Sequence, residues 1–150
     1  MANPPLLLTQ RLKAKTDKKA LVLLLSAKQR MRLRGRAQTT CGQEVVLQLP
    51  REGPLLNGDL LTGKATSTQV VIKAAPEDLL LITAKTSLEL IKAVYHLGNR
   101  HVELELHSEE IFLLNDTVLA EMLKARGINI EQVKRPFFPE MGAYSTHHRH

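Results

Sequence analysis

Tryptophan is absent from the chain, and aromatic residues make up only 3% of its 150 positions. A surface that reads bases or sugars by stacking needs aromatic faces, so this chain is poorly equipped for one and its core must be mostly aliphatic. A single cysteine, Cys41, excludes an intramolecular disulfide and a zinc site closed by several thiolates, which points to a reducing compartment. The longest apolar run, Ala20 to Leu25, falls far short of the roughly 20 residues that a membrane helix needs. Leu6 to Leu8 precede the first basic residues instead of following them, unlike a secretory leader. The expectation is a cytoplasmic protein with no membrane span.

An apolar fraction of 43% and a charged fraction of 24% are ordinary for a folded protein, and the length suits one large domain or two small ones. The net charge of +6 is unevenly placed. Residues 1–74 hold 13 Lys and Arg against 4 Asp and Glu, a net of +9, whereas residues 75–150 hold 8 against 11, a net of −3. The sign changes across Ala74-Ala75-Pro76-Glu77-Asp78, where a proline interrupts two β-rich stretches. This predicts a boundary near residue 75, with domains at 1–75 and 76–150.

The first half reads as short strands. Gln29 to Gly35 and Arg36 alternate strictly, which predicts a strand with Arg30, Arg32, Arg34 and Arg36 on one face and Met31 and Leu33 on the other. Glu44 to Leu49 and Val70 to Ile72 are further strand candidates, and Asn57-Gly58 is a strong tight-turn pair. A small all-β domain follows from this pattern.

The second half predicts strand, helix, strand, strand, helix, strand. Leu79 to Thr83 is a buried-strand run, and Thr86 with Glu89 has the spacing of a helix capping box. Leu88, Ile91, Val94 and Tyr95 recur as an apolar stripe, with Gly98 placed to stop the helix. His101 to His107 and Glu109 to Leu114 alternate as a hairpin would, and the first of these puts His101, Glu103, Glu105 and His107 on a solvated face. A second helix capped at Asn115 or Asp116 carries Leu119, Met122, Leu123 and Arg126 along one side and stops at Gly127. Ile128, Ile130 and Val133 then form a last strand before Pro136. The fold class is α+β, and the order βαββαβ is the ferredoxin-like arrangement.

Histidine placement carries the chemical signal. All six histidines, His96, His101, His107, His147, His148 and His150, fall in the acidic half. Imidazole suits Zn, Cu and Ni, and a short tail with several such ligands binds metal in a transferable way. An inert tail is the competing reading. The arginine face offers a nucleic-acid module as an alternative, although no aromatic residue is interleaved for stacking. No nucleophile elbow, Walker loop or HExxH helix is present, so the chain is expected not to be an enzyme.

The run Tyr95-His96-Leu97-Gly98-Asn99-Arg100-His101 resembles the Gly-Asn-Arg-His signature of UreE-type urease accessory proteins, which are nickel metallochaperones. Pro136-Phe137-Phe138-Pro139-Glu140-Met141-Gly142-Ala143-Tyr144 resembles the segment before that family's histidine-containing tail, and Leu56 to Leu61 resembles its Gly-Asp turn. The resemblance implies an N-terminal domain similar to a peptide-binding chaperone fold and a C-terminal domain that forms a homodimer and binds metal. It implies Ni²⁺ held on the dimer axis by His101 of both chains, with His147, His148 and His150 of the tail completing the sphere. It also implies delivery to apo-urease together with an accessory GTPase and other urease accessory proteins.

Two departures stand out: the tail is not a long polyhistidine run, and Leu114-Asn115-Asp116-Thr117 lacks the histidine pair that some relatives carry there. His96 is expected to be structural or solvent-facing. His107 would lie about 20 Å along the strand from His101, too far for one chain to use both on one ion. A zinc or copper buffer on the same scaffold is left open by ligand type alone. The basic half is expected to dock an acidic protein partner.

Overall fold

Short apolar runs with alternating burial build the first part of the chain. The structure, a computed structural model that describes residues 3–12 and 19–142, divides into two compact units, Met1–Ala75 and Pro76–His150. Among the described residues the first unit contains β1 (Leu6–Leu8), β2 (Gln10–Leu12), β3 (Leu21–Leu25), the one-turn helix α1 (Ala27–Arg30), β4 (Arg34–Gln38), β5 (Glu44–Gln48), β6 (Leu60–Gly63) and β7 (Thr66–Ala74). They form two sheets, ordered β1-β5-β4 and β2-β6-β7-β3. Leu8, Val45 and Leu47 from the first sheet share one buried cluster with Leu23, Leu61, Val70 and Ile72 from the second. Two sheets that each bury one face against the other are the simplest way for short strands to make a core.

The arginine alternation is not one strand. Ser26 caps α1 and forms a reciprocal capping box with Gln29, the Gln29 N–H donating to Ser26 Oγ at 3.2 Å and the Ser26 N–H to Gln29 Oε1 at 2.8 Å. This local pairing outweighs the period-two pattern, because two otherwise orphaned N–H groups are satisfied at once. Arg30 is therefore on the helix, buried to 5% exposure, with its guanidinium donating to the Leu25 carbonyl at 3.0 Å. Only Arg32, Arg34 and Arg36 remain exposed, so the four-arginine face on which a nucleic-acid module would depend does not form. Asn57 and Gly58 do form a turn, with Gly58 at φ 96° and Asn57 Oδ1 accepting from the Ala74 N–H at 2.9 Å.

The second unit contains β8 (Pro76–Thr83), α2 (Ser87–Asn99), β9 (Glu105–Leu106), β10 (Ile111–Leu114), α3 (Thr117–Ala125) and β11 (Asn129–Pro136). Its antiparallel sheet is ordered β11-β8-β10-β9, the strand order of a ferredoxin-like domain with both βαβ crossovers split. Central β8 buries Leu79, Leu80 and Ile82, as its unbroken apolar run requires. Leu80, Ile82, Ile111 and Leu113 of the sheet pack with Leu90, Ala93 and Leu97 of α2 and Leu123 of α3.

Several boundaries differ from those the sequence predicts. Thr86 does cap α2, accepting from the Glu89 N–H at 3.2 Å, but Leu88, Ile91 and Tyr95 lie on the outer side of the helix, 59%, 63% and 66% exposed. The apolar residues of α2 follow two helical registers, and the core takes the one through Leu90, Ala93 and Leu97. Gly98 does not stop the helix, which continues to Asn99 and is capped by Arg100. Asp116 caps α3, and Arg126 is its exposed C-cap rather than part of a packed face. The strand expected at His101 to His107 shrinks to Glu105–Leu106, because the residues before it are used in closing α2.

Gly63 meets the backbone of β1 so closely that an added Cβ would lie 1.9 Å from the Leu7 carbonyl oxygen. The three nearest atoms, from Leu7 and Leu8, are all backbone, so the strands themselves must part. Gly63→Ala is expected to destabilise the first unit by about 2 kcal/mol, read as a lowered denaturant midpoint. An unchanged midpoint would show that β1 can yield at no cost.

Candidate metal centre

The end of α2 sets the geometry of His101. The Val102 N–H donates to the Leu97 carbonyl at 3.1 Å and the His101 N–H to the Gly98 carbonyl at 3.0 Å, the two bonds of a Schellman motif. Val102 packs against the core cluster that contains Leu97, which supplies the apolar contact that accompanies this motif. The motif requires a left-handed residue at its turn, and His101 occupies it with φ 59°, the one positive-φ residue other than glycine among those described. The same motif closes α3, where Ile128 donates to the Leu123 carbonyl at 3.1 Å and Gly127 to the Lys124 carbonyl at 2.9 Å. There the left-handed position is Gly127, φ 80°. The fold thus makes the turn with glycine in one place and with an exposed histidine in the other, and a left-handed L-residue costs about 1 kcal/mol or more relative to glycine. Strain of this kind persists where a side chain is needed at that spot.

His96 is half-buried on α2 with its ring edge-on to Tyr95, centroids 5.7 Å apart. His107 does not share a strand face with His101, since no strand joins them. Its Nε2 lies 2.6 Å from Glu105 Oε2, and its ring stands edge-on to Phe112. Glu105 itself is not on a solvated face. It is 4% exposed and its carboxylate is filled: Oε1 accepts from the Phe138 N–H at 2.8 Å and Oε2 from Arg135 Nη2 at 3.0 Å. Sequence alternation places Glu105 opposite the helices correctly but misses the cover, the Pro-Phe-Phe-Pro stretch after β11. The Phe137-Phe138 pair between two prolines, in a chain with only three phenylalanines, is the sequence signal that could have revealed it; Phe137 is fully buried.

Among the described residues no three His, Cys, Asp or Glu side chains are grouped to hold an ion. His147, His148 and His150 lie outside the described residues. Cys41, in the first unit, is exposed, and its hydrogen bond with Thr39 Oγ1 at 3.3 Å lowers the thiol pKa. An open cleft of about 520 Å³ lies at the other end of α2 from His101, lined in part by Thr86, Ser87, His107 and Glu110. A single chain's described side chains thus present His101 as a monodentate, exposed imidazole, which can take part in a metal sphere only if other ligands join it.

Residues 8–75 match the family described as UreE urease accessory protein, N-terminal domain, and residues 77–150 the corresponding C-terminal domain. A urease accessory protein UreE of Parasynechococcus marenigrum (strain WH8102) is 50% identical over 147 residues, covering 98% of either chain. That of Synechococcus sp. (strain CC9311) is 54% identical over 125 residues, covering 83% of this chain and 81% of its own. One from Prochlorococcus marinus subsp. pastoris (strain CCMP1986 / NIES-2087 / MED4) is 47% identical over 126 residues, covering 84% and 80%.

The left-handed turn makes a stability prediction independent of metal. His101→Gly should raise the unfolding free energy by about 0.5–1 kcal/mol, and Gly127→Ala should lower it by about 1 kcal/mol. Equal midpoints for His101→Gly and the parent in denaturant titrations would show that the histidine turn carries no strain.

Proposed function

The chain belongs to the UreE family of urease accessory proteins, and from that premise we propose that it is a carrier that binds Ni²⁺ and delivers it for assembly of the urease nickel centre. The observation that carries this reading is the strained, exposed presentation of His101 at the end of a helix whose outer side bears Leu88, Ile91 and Tyr95. Three large apolar side chains left in solvent on one helix favour association. A two-fold axis through such an interface turns one histidine per chain into two ligands. Two imidazoles leave the sphere open, so that tail histidines His147, His148 and His150 can enter it and leave again. A carrier needs this exchange, whereas a site closed by four fixed ligands opposes it.

In this reading the protein acts as a cytoplasmic homodimer without catalytic activity of its own. Its partners are the urease accessory GTPase, other urease accessory proteins and apo-urease. Nickel follows from the urease context, since imidazole ligands by themselves also accept Zn²⁺ and Cu²⁺. The exposed Arg32, Arg34 and Arg36 suit an acidic protein partner better than nucleic acid, because Arg30 is withdrawn from that surface. No helix among the described residues is long and apolar enough to cross a membrane.

Ni²⁺ titration by calorimetry, with the mass in solution measured alongside, tests the ligand set. The tightest site should hold one ion per two chains and vanish in His101→Ala, while a chain ending at Thr146 keeps it with lower affinity or stoichiometry. Parent-like binding by His101→Ala would sink the model. Affinity should also fall as pH drops through the histidine range, because a ligating imidazole must be neutral; affinity unchanged in acid would contradict histidine ligation. Ile91→Glu should give folded monomers that lose the tight site, and a dimer that survives this change would place the interface elsewhere.

A further inference from the structure

We infer that the free edge of β4 is a strand-addition site: an extended acidic segment of a partner protein, with Asp or Glu at alternate positions, pairs with Arg34–Gln38 as a further strand of the sheet β1-β5-β4. This deepens, and rests on, the reading of Arg32, Arg34 and Arg36 as the surface for an acidic partner. In the strand order β4 lies at an edge, and its register with β5 runs from Arg34 opposite Gln48 to Gln38 opposite Glu44. Just outside this ladder the Leu49 N–H donates to the Leu33 carbonyl at 3.0 Å, and the Thr39 N–H to the Gln43 carbonyl at 2.9 Å. Bonded and unbonded pairs alternate along an antiparallel ladder. Both ends give the same phase, in which residues 33, 35, 37 and 39 bond to β5. The N–H and C=O groups of Arg34, Arg36 and Gln38 therefore point away from β5, to the side where no described strand is paired.

Such a row of donors and acceptors is a template for another strand, and it can be reached, since Arg34, Gly35, Arg36 and Gln38 are all exposed. The open stretch ends at Thr40, whose N–H donates to the Val22 carbonyl of β3 at 2.8 Å. Strand addition draws affinity from the main chain and specificity from alternate side chains. Leu33 and Ala37 pack against the core, so the side chains of Arg34 and Arg36 stand on the outer face. Residues opposite one another on neighbouring strands have Cβ atoms about 5 Å apart, which brings a carboxylate at each alternate partner position to a guanidinium. The Arg32 guanidinium stands beside the strand as well, since a Cβ on Gly35 would lie 3.8 Å from its Nη2. Among the described residues these three arginines hold no ion pair.

The same charges select the occupant. A second copy pairing through this edge would set its own arginines against these, and like charges directly opposite destabilise a strand pair. An acidic strand meets the reverse condition. The arginines thus close the edge to self-association and leave it open to a complementary partner. A single-stranded nucleic acid would match the charge but not the main-chain row, and β4 carries no aromatic ring for stacking bases.

The test uses the whole chain and the labelled peptide acetyl-Thr-Glu-Val-Glu-Thr-Glu-Val-amide, followed by fluorescence anisotropy at low salt. Two N-methylated versions keep every charge and differ only in which alternate amides are blocked. Methylating one set should weaken binding about tenfold or more, and methylating the other by less than about twofold, because only one set faces β4. Arg36→Ala and Arg36→Pro lose the same charge, but the proline also removes an outward N–H without touching the β4–β5 ladder. Arg36→Pro should bind about five- to tenfold more weakly than Arg36→Ala; the methylated peptides, read on the unaltered protein, decide the matter if it does not fold. Equal effects of the two methylated sets would overturn strand addition and leave only a charged surface. Single-stranded oligouridylate binding more tightly than the acidic peptide would overturn the choice of a protein occupant. Parent-like binding of the peptide by a chain combining Arg32→Glu, Arg34→Glu and Arg36→Glu would overturn the acidic-partner reading itself, and no saturable binding by the parent would overturn the inference outright.

Discussion

A carboxylate removed from water must be paired and hydrogen-bonded, and the C-terminal unit is arranged around one that is. Glu105, 4% exposed, is met by the guanidinium of Arg135, the imidazole of His107 and the Phe138 amide. An unpaired buried charge is far more costly than a missing surface contact, so Glu105 depends on these partners, while Arg135 and His107 keep part of their side chains in water. β9 has only two residues, and just before it the Leu104 carbonyl accepts from the Glu140 N–H of the segment that follows β11. Around Glu105 the sheet is covered by the chain's own continuation, through Phe138 and Glu140.

The two helices of this unit end in the same pair of hydrogen bonds but differ in the residue at the left-handed turn. Gly127 occupies the left-handed turn after α3 without steric conflict. His101 occupies the equivalent turn after α2 with its Cβ crowding the backbone. The surrounding structure over-determines that turn: Val102 is drawn into the core beside Leu97, and its amide is committed to the Leu97 carbonyl. The turn therefore holds the exposed His101 on a rigid base, which is what the proposed ligand shared between two chains requires.

Transfer and retention make opposite demands on a metal site. Closed, fixed ligand sets retain ions, whereas a sphere only partly built from fixed histidines, as proposed for His101, allows ligands to be exchanged. In the proposed site the outer stripe of α2 contributes by symmetry, which turns one His101 into two ligands. The first unit supplies no such ligand. It presents exposed arginines on and before β4, the surface proposed to meet an acidic partner.

Local chemistry was legible in the chain itself. The βαββαβ order, the caps Thr86 and Asp116, the stop at Gly127 and the Asn57-Gly58 turn follow from interactions within a few residues, and such interactions act before any tertiary contact exists. The candidacy of His101 also came from its short motif. Other features were decided only by the folded structure. Which of two apolar registers on α2 faces the core depended on the sheet it met, so Leu88, Ile91 and Tyr95 ended outside. The arginine alternation was overruled at Arg30 by a capping box whose two bonds outweigh a pattern. Glu105 reads as a solvated strand residue until a segment 33 positions later covers it. Periodicity reports which side of an element a residue takes, but burial depends on what distant part of the chain arrives there.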